Sequence, residues 1–124
     1  MEAIASSEIF LFERFRLDRR AGGLFRTGEQ GAFAPVAIGS RALDVLCLLV
    51  ERHGQLVTKE EIMAAVWPSV VVSDSNLPIQ ILAIRRILDH GRARGSCIQT
   101  IAGRGYRFIA PVTVTDPQRT FGRS

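Results

Sequence analysis

Residues 73–109, SDSNLPIQILAIRRILDHGRARGSCIQTIAGRGYRFI, change hydrophobic period partway along, and this restricts the fold more than any other stretch. In the first half Leu77, Ile81, Ile84 and Leu88 recur at helical spacing and make one narrow apolar stripe. Asn76, Ile79, Leu82, Ala83 and Arg86 fall on the opposite face. Pro78 has no N–H to donate, so it belongs in the first three helical positions, with Ser75 the best N-cap. The second half reads as a β-hairpin, with strands over 97–102 and 106–112 and a tip at Gly103-Arg104-Gly105, where both glycines suit positive φ. Between Arg85 and Arg107 there are six arginines and one acid, Asp89. A helix fits a DNA major groove, and a basic hairpin beside it reaches backbone or minor groove. The pairing points to nucleic-acid binding.

Two helices are expected upstream. The first, over 40–53, buries Ala42, Leu43, Val45, Leu46, Leu49 and Val50, places Arg52 and His53 in its last turn, and stops at Gly54. The second begins at a capping box, Thr58-x-x-Glu61, with Val57 and Ile62 placed for a hydrophobic staple. It runs to Trp67, where Pro68 ends it. Residues 9–38 break into the short apolar runs IFLF, FRL, LFR and FAPVAI, separated by turn-rich segments at 18–23 and 27–31. These suggest a small antiparallel sheet. Residues 1–8 read as a flexible leader, 9–114 as the folded domain, and 115–124 as a flexible tail.

The 124-residue length suits one domain, and 47% hydrophobic with 23% charged residues suits a soluble globular chain. The net charge is +4, and all the basic residues but Lys59 are arginines, which fork onto phosphate or guanine. Most of the acids lie in the first 72 residues, so positive potential gathers toward the C-terminal half. Cys47, inside VLCLLV, reads as a reduced core residue, and it and Cys97 form no metal-ligand spacing with histidine. There is no Ser/His/Asp, Cys/His or metal-binding arrangement, and the glycine-rich segment is a hairpin tip, not a phosphate loop. The expectation is a non-enzymatic protein with no cofactor and no metal. No signal peptide or bilayer-spanning run is visible, so a cytoplasmic location is expected.

The order of sheet, three helices and hairpin is that of a winged helix-turn-helix. Thr58-Lys59-Glu60-Glu61-Ile62 with Val66-Trp67, then Ser75-Asn76-Leu77, Gln80-Ile81, Ile84-Arg85-Arg86-Ile87-Leu88 and QTIAGRGYRF resemble the OmpR/PhoB-type DNA-binding domain over about residues 10–112. The resemblance implies an α+β fold: a three-helix core with a small N-terminal antiparallel sheet and a C-terminal β-hairpin wing. It implies a transcription regulator of double-stranded DNA, with the recognition helix at about 76–89 in the major groove and wing tip 103–105 on the minor groove or backbone. It further implies that the segment from Pro68 to Ser73 meets RNA polymerase. A receiver, sensor or ATPase domain controls binding in two-component or phosphorelay signalling, and protomers pair in tandem on DNA. Leu82, Ala83, Pro78 and Ala102 depart from the polar or basic residues that many members place there.

The candidate DNA-contacting residues are Asn76, Ile79, Gln80, Ala83, Arg85, Arg86, Thr100, Arg104 and Arg107. Arg86 and Arg104 are placed for phosphate, guanine or minor groove, and Ile79 and Ala83 for a thymine methyl. Arg85 contacts phosphate or pairs with an acid inside the domain. Asn76 contacts phosphate or caps the helix. Tyr106, Phe108 and Trp67 read as core. The alternative is a protein-interaction module using Ile79, Leu82 and Val70, Val71 and Val72.

Overall fold

Four short strands precede three helices, and a further run of strands closes the chain. A computed structural model describes residues 9–28, 31–69, 72–73, 75–90 and 95–115. The expected leader at 1–8 and all of the expected tail but Thr115 lie outside these. The strands are β1 (Ile9–Phe12), β2 (Phe15–Asp18), β3 (Gly23–Thr27), β4 (Phe33–Pro35), β5 (Leu56–Thr58), β6 (Ile98–Ile101), β7 (Gly105–Phe108) and β8 (Thr113–Thr115). The helices are α1 (Ser40–Glu51), α2 (Lys59–Val66) and α3 (Asn76–Leu88). The chain divides into two compact units, one up to Ala37 and again from Pro111, the other Ile38–Ala110.

The first unit is an antiparallel sheet of order β4-β3-β2-β1-β8. Period-two alternation puts Phe10, Leu17 and Leu24 in one cross-strand row, and all three are buried. On the other face the Arg16 guanidinium sits 5.3 Å from the Phe25 ring centroid and 4.7 Å from that of Phe33. Two expectations change here. The run FAPVAI forms a strand only over Phe33–Pro35, although the Val36 N–H still donates to the Leu24 carbonyl at 2.9 Å. Residues 113–115, beyond the expected return strand and expected as the end of the domain and the start of the tail, form a strand that pairs with β1.

The second unit holds the helices and the sheet β5-β7-β6. Helix α1 buries Ala42, Val45, Leu46, Cys47, Leu49 and Val50, while Leu43 is half-buried. It ends at Glu51, so Arg52 and His53 follow the last turn instead of occupying it. The chain then turns through Gly54 at φ +84°. Helix α2 starts at the expected capping box. The Glu61 N–H donates to Thr58 Oγ1 at 3.1 Å, and the Thr58 N–H donates to Glu61 Oε1 at 2.9 Å. Val57 and Ile62, the two staple positions, are fully buried. At the far end Arg41 donates to the Val66 carbonyl at 2.8 Å, satisfying an acceptor that the helix leaves open.

Strand β5 was not expected. Leu56, Val57 and Thr58 pair with Arg107, Tyr106 and Gly105, so the wing is the rest of a three-stranded sheet and not a lone hairpin. This changes the reason for one glycine. Gly103 does turn at φ +74°, but Gly105 lies in β7 with no positive φ. A Cβ on Gly105 would lie 2.8 Å from Thr58 Cα and closer still to the Val57 carbonyl oxygen, so only glycine permits β5 to approach.

Candidate nucleic-acid interface

Helix α3 begins one residue after Ser75, with Pro78 in its third position, as the missing N–H requires. The capping work falls to Ser73, because the Ser75 hydroxyl caps no helical N–H. Ser73 Oγ accepts from the Ser75 N–H at 3.2 Å, and the Ser73 carbonyl accepts from the Asn76 N–H at 3.0 Å. The Asn76 side-chain amide donates to the same carbonyl at 3.2 Å. Asn76 is the first helical residue, and its amide, a donor to a carbonyl outside the helix, caps no helical N–H.

The α3 face directed inward is Leu77, Ile81, Ile84 and Leu88, all buried, as the spacing predicts. The outward face carries Ile79 and Leu82, 58% and 51% exposed, with Arg86 also exposed and Gln80 and Ala83 half-buried. No acidic residue occurs anywhere in α3 or in residues 95–108.

Arg85 borders this face and is half-buried. Its Nη2 donates to the Ile98 carbonyl and to Thr100 Oγ1, each at 2.8 Å. The partner inside the domain is therefore a strand carbonyl and a hydroxyl, where sequence reasoning had looked for an acid. Asp89, one turn on, accepts from the Cys97 N–H at 3.0 Å. Together they fasten the end of α3 to β6, the first strand of the wing. Arg85 and Thr100, two of the candidate DNA residues, are thus brought into contact with each other. The Thr100 hydroxyl keeps its own hydrogen for a further acceptor.

The wing turn spans 102–104, one residue earlier than the expected tip. The Arg104 N–H donates to the Ile101 carbonyl at 2.9 Å, and the Arg104 carbonyl accepts from the Lys59 N–H at 3.0 Å. The first turn of α2 therefore holds the backbone from which the exposed Arg104 side chain projects. Arg107 is half-buried, and its Nη1 lies 3.4 Å from Gln99 Oε1 across the β6–β7 pair. Sequence reasoning missed Gln99, exposed beside Thr100, and Lys59, exposed where α2 meets the wing turn. The signal for Lys59 was present in Gly105, whose bare backbone admits the strand that leads into α2.

Tyr106, Phe108 and Trp67 are buried, as expected for core, and so are the thiols Cys47 and Cys97. Among the described residues no group of His, Cys, Asp and Glu is arranged to hold a metal ion. No helix among them is long and apolar enough to cross a membrane. Of the apolar alternative, Val70 and Val71 lie outside the described residues and Val72 is half-buried. The same gap interrupts the segment from Pro68 to Ser73.

A carboxylate-free helix face joined by its own arginine to an arginine-tipped hairpin defines a winged helix-turn-helix of the nucleic-acid-binding class. Residues 34–108 match the family model described as "Transcriptional regulatory protein, C terminal". The chain belongs to that family, the OmpR/PhoB-type DNA-binding domains. It is 34% identical over 112 residues to the transcriptional regulator HilA of Salmonella typhimurium, covering 90% of this chain and 19% of HilA. The chain thus spans about a fifth of that relative's length. The DNA-binding domain of E. coli CadC has the same fold, with a TM-score of 0.71 and 19% identity, covering 85% of this chain and 94% of that one. So does the DNA-binding domain of Klebsiella pneumoniae RstA, solved in complex with the RstA box, with a TM-score of 0.64 and 20% identity, covering 82% of this chain and 96% of that one.

Proposed function

We propose that this chain binds specific sequences in double-stranded DNA as the effector domain of a transcription regulator, with α3 in the major groove and the wing turn on the adjacent minor groove or backbone. The observation that carries this reading is the Arg85 tie. It joins the wing to a helix whose outward face bears Arg86 and no carboxylate. Arg86 and Arg104 contact DNA directly, with Gln80, Ile79 and Ala83 toward base edges and Arg107 and Thr100 toward phosphate. Arg85 acts by positioning the wing, and Asn76, the first residue of α3, lies toward phosphate. The domain occupies 9–114, works without catalytic chemistry or cofactor, and acts in the cytoplasm. A receiver, sensor or ATPase domain controls it, as the much greater length of HilA supports. Residues 68–73 meet RNA polymerase, and protomers bind in tandem.

The test is selection of duplexes from a random pool, followed by titration of the selected duplex against salt. Four to six neutralised phosphates give a slope of log K on log salt of about −4 to −5, from about −0.9 per phosphate. A scrambled duplex binds at least about 1,000-fold more weakly. Binding without salt dependence, or without preference for the selected sequence, overturns the proposal. The exposure of Ile79 and Leu82 favours one other reading, an apolar protein-docking face. Arg86→Glu with Arg104→Glu separates the two, because it abolishes DNA binding and leaves an apolar interface intact.

A further inference from the structure

Hydrogen-bonding groups are scarce on the outward face of α3. Gln80 is half-buried, the Asn76 amide donates to the Ser73 carbonyl, and Arg86 stands alone near the far end. The most exposed side chains are hydrocarbon, Ile79 and Leu82, with Ala83 beside them. They lie three and four residues apart, hence on one stripe with Arg86. In a major groove the apolar group offered by an unmodified base pair is the C5-methyl of thymine. Against any other edge, two exposed aliphatic chains would strip water from amino, N7 or carbonyl groups and give no hydrogen bond in return.

We propose that α3 reads its operator through thymine methyls, with Ile79 and Leu82 as the specificity-determining contacts. This deepens the DNA-binding reading and rests on it. The ligand is a duplex with thymines at neighbouring positions in the groove that α3 enters. The spacing fits. Ile79 and Leu82 are separated by about 4.5 Å along the helix axis, close to the step of about 3.4 Å between stacked bases. Arg86 lies about 10.5 Å beyond Ile79 and falls on a phosphate or guanine some three steps away. Charge selects DNA as the occupant. A docking protein would have to desolvate Arg86 beside the aliphatic pair, whereas a phosphate-lined groove meets both at once.

The experiment uses the duplex selected by the wild-type chain. Each deoxythymidine is replaced in turn by deoxyuridine, which removes the methyl and keeps every hydrogen-bonding group. Affinities are measured for wild type, Ile79→Ala and Leu82→Ala, with thermal unfolding to confirm that these exposed substitutions leave the fold intact. The expected result is two or three positions at which deoxyuridine weakens wild-type binding by about three- to five-fold, the worth of one buried methyl. At each of them the penalty disappears in one of the two variants. If every replacement leaves wild-type affinity unchanged, or the penalty persists in both variants, the methyl reading is overturned while duplex binding stands. If no duplex is enriched and the arginine reversals have no effect, the DNA-binding reading fails first and this one with it.

Discussion

Arg85 on α3 donates from one guanidinium nitrogen to the carbonyl oxygen of Ile98, thirteen residues further along the chain, at 2.8 Å. The same nitrogen reaches the Thr100 hydroxyl, so one side chain from α3 holds the backbone of a buried residue and the side chain of an exposed one in the wing's first strand. In the proposed complex helix and wing meet adjacent grooves together. A residue that fixes their spacing should then influence DNA affinity by positioning the wing.

Arg85→Ala should lower stability by about 1–2 kcal/mol, the low end for hydrogen bonds to a charged donor because the group is partly exposed. It should also uncouple the wing. In a double-mutant cycle the affinity lost in Arg104→Ala should be smaller when Arg85 is already alanine, whereas additive losses would show that the wing is positioned without it.

Gly105→Ala and Gly103→Ala test different constraints in neighbouring residues. A Cβ at Gly105 runs into the Val57 backbone, and backbone cannot swing aside. The cost should reach about 3 kcal/mol or more. At Gly103, φ is +74° with open space around a Cβ, so alanine should cost only about 1–2 kcal/mol of left-handed strain. Urea midpoints rank the two, and the reverse order would contradict the β5–β7 pairing.

Glu61 should titrate below its ordinary value of 4.5. The Thr58 backbone N–H stabilises the carboxylate most, against a smaller opposing effect of desolvation, and Arg52, 3.3 Å away, adds to the lowering. A carboxyl lowered in the folded state stabilises the fold above the unfolded value and loses that contribution as pH falls through the folded one. Glu61→Gln should therefore flatten the stability profile below about pH 4.5, measured by thermal unfolding across pH. Thr58→Ala should cost about 1 kcal/mol at neutral pH through the lost cap.

Arg86→Ala and Arg104→Ala should each reduce the salt slope by about one unit, the signature of a removed phosphate contact. Both side chains are exposed, so unfolding temperature should hardly move. An unchanged slope would remove that residue from the phosphate contacts.

What was legible in the sequence was local. The Thr58–Glu61 capping box, the Leu77-Ile81-Ile84-Leu88 stripe and the position of Pro78 each depend on neighbours within a few turns of chain, and each is present in the structure. What escaped was non-local. β5 is three residues long, and its partner β7 lies nearly fifty residues away, so no alternation marks it. β8 pairs with a strand a hundred residues earlier. Gly105 stood in a plausible hairpin-tip pattern, yet its reason is a third strand beside it. Arg85 suggested an acid because charges suggest charges, but a carbonyl acceptor belongs to every residue and leaves no mark in composition. Gln99 needed the β6–β7 register before it could be placed beside Arg107.

The most direct test of the central claim is cleavage of the selected duplex by an iron chelate attached in turn at Arg86→Cys and at Arg104→Cys. Cys47 and Cys97 are buried, so the added thiols are the reactive ones. The account predicts cutting from position 86 across a major groove and from position 104 in the neighbouring minor groove, centred about five base pairs, or half a helical turn, apart. Cutting from only one of the two positions, or from both within the same groove, would contradict it.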